Sequence, residues 1–457
     1  MIQRCSAVTI RSFSNRLPLG LLLALMACSS SEATRPPRGD GGATTLDGGI
    51  LDESGEDAGT DAADAGEVVP PLPYDFSVKC AGDPCATAIA ARGGGHACAA
   101  LRDGSVRCWG SNASGQLGTG NVDGGWIPNS ESTPRAVLDV SDAKAIAATG
   151  EGPWGTTCVV HGAGVVACFG SDEWGQLGVG GGGSRAANPV PIPLQGLQAK
   201  SVTLTSTFAL AIDTNNRLWS WGANNTYQLA RTASVGDAGS TGIAAEADRV
   251  SGAVRACAGT STTGFVVVED GSLFSWGGGV FDQLGRVTSL QADAIPSAVA
   301  ISGVTGVATG ARHACALGQG AVHCWGQNDH GQLGTGGKAD EWLPARVVLP
   351  ADVYPVAVAA GGNDSCIIAA DGDVYCWGAN GSGQLGVGTP SGRDQVMPVR
   401  VAELGEQAVA VAIMDASICA LLRGGSVVCW GDNVLGQLGR GSRDTELHLE
   451  PGRVAFE

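Results

Sequence analysis

Behind the polar turn Asp371-Gly372-Asp373 runs Val374-Tyr375-Cys376-Trp377, an apolar stretch with the residue types and length of a β-strand. The pattern recurs along the chain. An aromatic residue followed by glycine marks each copy: Trp109, Phe169, Trp221, Trp276, Trp325, Trp377 and Trp430, at separations of 60, 52, 55, 49, 52 and 53 residues. Three residues before each anchor stands Val or Leu (Val106, Val166, Leu218, Leu273, Val322, Val374, Val427). Five before it stand Gly104, Gly164, Asn216, Gly271, Gly320, Gly372 and Gly425. Asn is the non-glycine residue best suited to positive φ, so this column predicts a left-handed turn and each unit a β-hairpin.

After each anchor a loop ends in Gln-Leu, from Gln116-Leu117 through Gln176-Leu177, Gln228-Leu229, Gln283-Leu284, Gln332-Leu333 and Gln384-Leu385 to Gln437-Leu438. The leucine is expected to pack between neighbouring units, and the glutamine amide to satisfy loop backbone groups. Most units then offer a Pro-x-x-Val strand start, as at Pro344 to Val347. About four strands per unit of about 50 residues, seven times over, match a β-propeller; an open solenoid would want polar capping repeats, and none is evident. The expected fold is all-β, a seven-bladed β-propeller of four-stranded blades over residues 74–457. Two segments compete as the closing strand: Pro451-Gly452-Arg453-Val454, which could pair beside the first unit, and Pro73-Tyr74-Asp75-Phe76.

Segments such as Val356-Ala357-Val358-Ala359-Ala360-Gly361-Gly362, Asp371-Gly372-Asp373-Val374-Tyr375-Cys376-Trp377-Gly378 and Gly383-Gln384-Leu385-Gly386-Val387-Gly388 resemble the regulator-of-chromosome-condensation repeat family, over roughly residues 86–457. The resemblance implies a seven-bladed propeller. It leaves activity open, because that family spans nucleotide exchange on a small GTPase, ultraviolet sensing and, in a bacterial member, inhibition of β-lactamase.

Cysteines stand eleven residues and one residue before the anchor: Cys98 with Cys108, Cys158 with Cys168, Cys366 with Cys376, and Cys419 with Cys429. Cys315 and Cys324 are one residue closer, a contraction that falls in the turn Gln319-Gly320. Units lacking one cysteine lack both, having Leu210 with Ser220 and Phe265 with Ser275. Joint presence and absence point to cross-strand disulfides, and two thiols per unit offer no four-ligand metal cluster. Cys80 and Cys85 would form a sixth bridge, leaving Cys257 unpaired.

The N-terminus sets the compartment. Arg4, Arg11 and Arg16 precede the apolar run 17–27, which is shorter than the roughly 20 residues of a membrane span and reads as a signal peptide over residues 1–27. Leu25-Met26-Ala27-Cys28 resembles a bacterial lipobox, so Cys28 is the expected lipidation site. Residues 29–73 hold ten acids against two arginines and almost no aliphatic bulk, the composition of a disordered tether. The expected localisation is extracytoplasmic, lipid-anchored to a bacterial membrane, the outer membrane first. A formal charge of −17 would repel phosphate backbones, which argues against nucleic acid as a partner.

No HExxH, GxSxG or phosphate-binding GxxxxGK[ST] motif occurs in the chain. No cofactor, metal or catalytic residue is expected. His96 and His313 occupy equivalent places before hairpin cysteines and read as structural. The residue five after the anchor varies: Ser114, Trp174, Thr226, Phe281, His330, Ser382 and Leu435. Repeat symmetry puts these on one face, where Trp174, Phe281, His330 and Leu435 are candidate binding residues; Trp126 and Trp342 share a further loop position. The expected function is a membrane-tethered scaffold binding a protein or a glycan. The alternatives are a structural envelope protein and an enzyme acting in the central cavity.

Overall fold

The computed structural model describes residues 74–122, 130–180, 183–232, 241–388 and 392–456 of the chain. The signal peptide, Cys28, the tether and Trp126 lie outside the described residues. What is described is all-β: four antiparallel strands, paired in chain order, repeated seven times.

Blade 1 consists of Ala86–Ala90, His96–Leu101, Val106–Ser111 and Ser130–Ala136. Blades 2 and 3 are joined in one seven-stranded sheet, because Ser184–Leu204 serves both. Its first part is the outer strand of blade 2, with Gln198 opposite Val165. From Ala199, opposite Asp213, it is the inner strand of blade 3. The inner strands of blades 4 to 7 are Val254–Gly259, Val304–Thr309, Pro355–Gly361 and Ala408–Ile413.

The ring closes without a shared strand. His448–Arg453 pairs with Val427–Gly431 of its own blade, so the Pro451 segment completes blade 7 and does not pair beside blade 1. Residues at the start of the described chain instead run back over blade 7. Lys79 N donates to Arg423 O at 2.7 Å, Ala86 N to Gly425 O at 2.9 Å, and the Tyr74 hydroxyl to Ala408 O at 2.7 Å.

The repeated columns have separate physical roles. Gly104, Gly164, Asn216, Gly271, Gly320, Gly372 and Gly425 all take positive φ, from 64° at Asn216 to 96° at Gly164. The seven Gln-Leu leucines are buried, and all but Leu284 sit in a core cluster; Leu117, for instance, packs with Val159 and Phe169 of the next blade. Each column glutamine accepts, through Oε1, the backbone N–H two residues earlier, as at Ser114 (2.8 Å), Trp174 (2.7 Å) and His330 (2.8 Å).

The hairpin cysteines face one another as Cys98–Cys108, Cys158–Cys168, Cys315–Cys324, Cys366–Cys376 and Cys419–Cys429, each disulfide-bonded with Cα atoms 4.0 to 4.1 Å apart. In the shorter blade 5 hairpin both turn residues, Gln319 (51°) and Gly320 (71°), have positive φ. That is the backbone of a two-residue type I′ turn, which keeps the cysteines opposed. Cys80 and Cys85 form a sixth bridge, and Cys257 is free.

A vestibule at the mouth of the channel as candidate functional site

The seven inner strands surround a channel walled by small apolar side chains, among them Ala90, Ala147, Val202, Val307, Val358 and Val411. Their C-terminal ends open into a vestibule of about 450 Å³ to which every blade contributes. Thr149, Gly150, Glu151 and Trp174 come from blade 2, Ser206 and Thr207 from blade 3, and Ser261 and Thr262 from blade 4. Arg312 comes from blade 5, Gly362 from blade 6 and Asp415 from blade 7.

Arg92 of blade 1 lies at the neck between vestibule and channel, lining both. Its guanidinium reaches across to two other blades: Nε donates to Thr309 O (3.0 Å), Nη1 to Leu204 O (3.0 Å), and Nη2 to Thr309 Oγ1 (2.7 Å) and Gly310 O (3.2 Å). Desolvation at the neck lowers its pKa to about 10, so it stays charged at neutral pH. Just after Arg92 in the chain, the Gly94 N–H donates to the Asp415 carboxylate of blade 7 at 2.9 Å. Desolvation raises the Asp415 pKa, and the charge of Glu151 raises it further.

Blade 2 breaks the symmetry of this face. Eleven positions separate its paired residues Ala147 and Cys158, against seven between Ala308 and Cys315 in blade 5. The longer hairpin ends in the pair Glu151 and Trp154, closed by Gly152-Pro153. Gly152 has φ 57°, the positive value that the first central residue of a two-residue hairpin loop needs. The tip is pinned to blade 1, because the Pro153 carbonyl accepts both Ser111 Oγ (2.6 Å) and Gln116 Nε2 (2.8 Å). Trp154 is 60% exposed and Trp174 41%, and the two line a cleft of about 380 Å³ beside the vestibule.

Of the residues chosen from the sequence that are among the described ones, Trp174 alone lines the vestibule. The Phe281 ring is covered by the Arg312 guanidinium, 4.1 Å from its centroid. His330 Nδ1 and Lys338 Nζ both meet Asp394 Oδ2, at 3.2 and 2.7 Å, in a cluster between blades 5 and 6. Leu435 is a wedge against Gly95 of blade 1, where a Cβ would lie 2.4 Å from its Cδ1. Trp342, 47% exposed, is on the outer strand Glu341–Arg346. Arg92, Glu151 and Trp154 were missed by column reasoning because they belong to no column; the signal available was the 60-residue spacing from Trp109 to Phe169.

His96 and His313 are fully buried in blade interfaces. Their Nε2 atoms meet Thr157 Oγ1 (3.0 Å) and Ser365 Oγ (2.8 Å), hydroxyls that donate to Gln116 O and Gln332 O. Each hydroxyl has one proton, committed to the carbonyl, so each ring donates through Nε2 and leaves Nδ1 bare. Burial pushes their pKa values down to about 4 and about 3, and both rings are neutral.

Residues 78–413 match the RCC1-like domain. The chain is 28% identical over 363 residues to the ultraviolet-B receptor UVR8 of Arabidopsis thaliana, covering 77% of this chain and 78% of the receptor. It is 27% identical over 347 residues to the mitochondrial RCC1 domain-containing protein RUG3 of the same plant, covering 74% of this chain and 61% of RUG3. Among solved structures it is similar to human WBSCR16, with a TM-score of 0.66 and 20% identity over 78% of this chain and 94% of that one. It is similar also to Prp20p of Saccharomyces cerevisiae, with a TM-score of 0.65 and 20% identity over 78% and 86%, a structure described with its binding to Gsp1p and histones. With seven four-stranded blades and a domain match that spans most of them, the chain belongs to the RCC1-like domain family.

Proposed function

We propose that the chain is a lipid-tethered, extracytoplasmic propeller that binds a protein partner at its vestibule face. The observation that carries this reading is the lengthened hairpin of blade 2. Four more residues than in the blade 5 hairpin raise a tryptophan and a glutamate beside the channel mouth, and the Pro153 carbonyl holds them there. A purely structural ring has no use for an exposed indole on a fixed mount, since exposure forgoes the burial that aromatic side chains otherwise contribute. The tether reading rests on Leu25-Met26-Ala27-Cys28 and the acidic stretch that follows.

The likeness to UVR8 does not by itself favour light sensing, because the six anchor tryptophans are buried and engaged in blade packing. Two experiments test the proposal. Alkyne-palmitate labelling should mark the wild-type chain and not Cys28→Ala, and an unlabelled wild type removes the anchor. A photo-cross-linker placed at position 174 should capture a defined protein that the same group at position 342 does not. Equal capture from both positions removes the vestibule face.

A further inference from the structure

We infer that the cleft between Trp154 and Trp174 receives a lysine or arginine side chain of a partner polypeptide. The inference rests on the protein-binding reading above and adds the chemistry of the partner.

The two indoles line the cleft with Gly152, Thr156, Ser171, Glu173 and Gln176, and Glu151 supplies a carboxylate. No Lys, Arg or His is among the described residues lining it. Glu151 has no ion-pair partner among the described residues, and its charge bears on Asp415 across the vestibule mouth. Burial and then the charge of Glu151 raise the Asp415 pKa, and a positive guest beside Glu151 relieves that repulsion. Indole faces attract the same guest through their quadrupole, and an alkyl stem can lie along the rings while its charged head reaches a carboxylate. The chain's formal charge of −17 favours the approach of a basic segment over an acidic one. Arg92 does not oppose this, because its donors are turned into the neck toward Thr309, Leu204 and Gly310. The pinned tip means that the site exists before the guest arrives, so little ordering is lost on binding.

The test is a tryptophan-fluorescence titration of the full-length chain in detergent with blocked tetralysine, tetraglutamine, tetraglutamate, spermidine and cellohexaose. Tetralysine should bind saturably, at least tenfold more tightly than tetraglutamine. Binding should weaken at least tenfold in Trp154→Ala and in Glu151→Gln, and largely recover in Trp154→Phe. Both positions are exposed, and an unchanged far-ultraviolet circular dichroism spectrum confirms folding. Tetralysine binding that survives Trp154→Ala overturns the inference, as does spermidine binding as tightly as tetralysine, which would assign the cleft to a free polyamine. Tetraglutamate binding lost in Trp154→Ala also overturns it, yet leaves protein binding at this face intact. Binding of cellohexaose alone overturns both readings.

Discussion

The indole Nε1 of Trp109 in blade 1 donates to the backbone carbonyl of Gln437 in blade 7, at 2.9 Å and 328 residues apart in the chain. The same bond joins Trp221 to Gln176, Trp276 to Gln228, Trp325 to Gln283, Trp377 to Gln332 and Trp430 to Gln384, at 2.8 to 2.9 Å. Each blade is thus latched to the one before it, and Trp109 extends the series across the closure. Blade 2 has Phe169 as anchor and no indole N–H. There the Thr157 hydroxyl takes over the carbonyl of Gln116, at 2.8 Å.

The latch predicts which conservative changes hurt. Trp109→Phe keeps an aromatic ring but leaves the buried Gln437 carbonyl without its donor, a loss of about 1–3 kcal/mol. Thr157→Val should cost at least as much in blade 2, where Phe169 is native, because it strips Gln116 O of its donor and the His96 Nε2–H of its acceptor. Urea unfolding of the two variants against wild type checks both, and a Thr157→Val midpoint equal to wild type would show that the hydroxyl is not the substitute donor.

The two buried histidines predict acid sensitivity above the range where most carboxylates titrate. Their folded pKa values, about 4 for His96 and about 3 for His313, lie below the unfolded value of 6.5. Below pH 6.5 the unfolded chain therefore binds protons that the folded chain refuses. Stability from these groups is complete above 6.5 and is lost as pH falls toward 4, at about 1.4 kcal/mol per pH unit per histidine. In His96→Gln with His313→Gln the amide can still donate to the hydroxyl, so the urea midpoint between pH 6.5 and 5 should flatten. An unchanged slope would mean that neither ring is the sensor.

Much of this architecture was legible because it repeats. The positive-φ column, the Gln-Leu pairs and the paired cysteines each recur often enough for alignment to separate a structural demand from chance, and each has a local physical cause. The latch was only half visible. Tryptophan and glutamine columns stand out in the sequence, yet which indole meets which carbonyl depends on how adjacent blades pack. Leu435, Phe281 and Trp174 share a column, but their neighbours differ: Gly95 under one, Arg312 over another, open solvent beside the third. Arg92 and Trp154 act at the channel mouth through single, unrepeated placements, and periodicity carries no information about such residues.

Asp364 predicts the opposite pH behaviour to the histidines. It occupies the place in blade 6 that His96 and His313 hold in theirs, is fully buried, and has one carboxylate oxygen, Oδ1, without a partner. Burial raises its pKa well above the usual carboxylate value, against a weak opposing bond from Gln384 Nε2 at 3.4 Å. Its contribution is thus present below the unfolded pKa and lost as pH rises through the folded one. Asp364→Asn should raise the melting temperature at pH 7, with a gain that shrinks as pH approaches 4. A gain independent of pH would assign the effect to packing.

The two blades without hairpin disulfides predict where another can be added. Leu210 lies directly opposite Ser220, and Phe265 opposite Ser275, in the register that the cysteine pairs use elsewhere. These blades have a polar tie instead: Ser220 Oγ and Ser275 Oγ each donate to a Gln-Leu carbonyl at 2.7 Å, and accept Arg231 Nε and Arg286 Nε at 3.1 and 3.0 Å. Leu210→Cys with Ser220→Cys should form a bridge on export. On the chain-entropy model its ten-residue loop is worth about 2–3 kcal/mol, opposed by the loss of two Ser220 hydrogen bonds at roughly 1 kcal/mol each and of part of the fully buried Leu210 side chain, so stability should change little. Phe265→Cys with Ser275→Cys removes a fully buried phenylalanine that packs edge-on to Trp325 at 5.9 Å, and the cavity should cancel the gain. Thiol counting under denaturation supplies the check. Cys257 is the one free thiol among the described residues, and a folded-state pKa pushed up to about 11 by burial keeps it slow to react at pH 8 before denaturant is added. The count on the denatured blade 3 variant should therefore stay at that of wild type; two additional thiols would show that the opposed positions in this blade cannot be bridged.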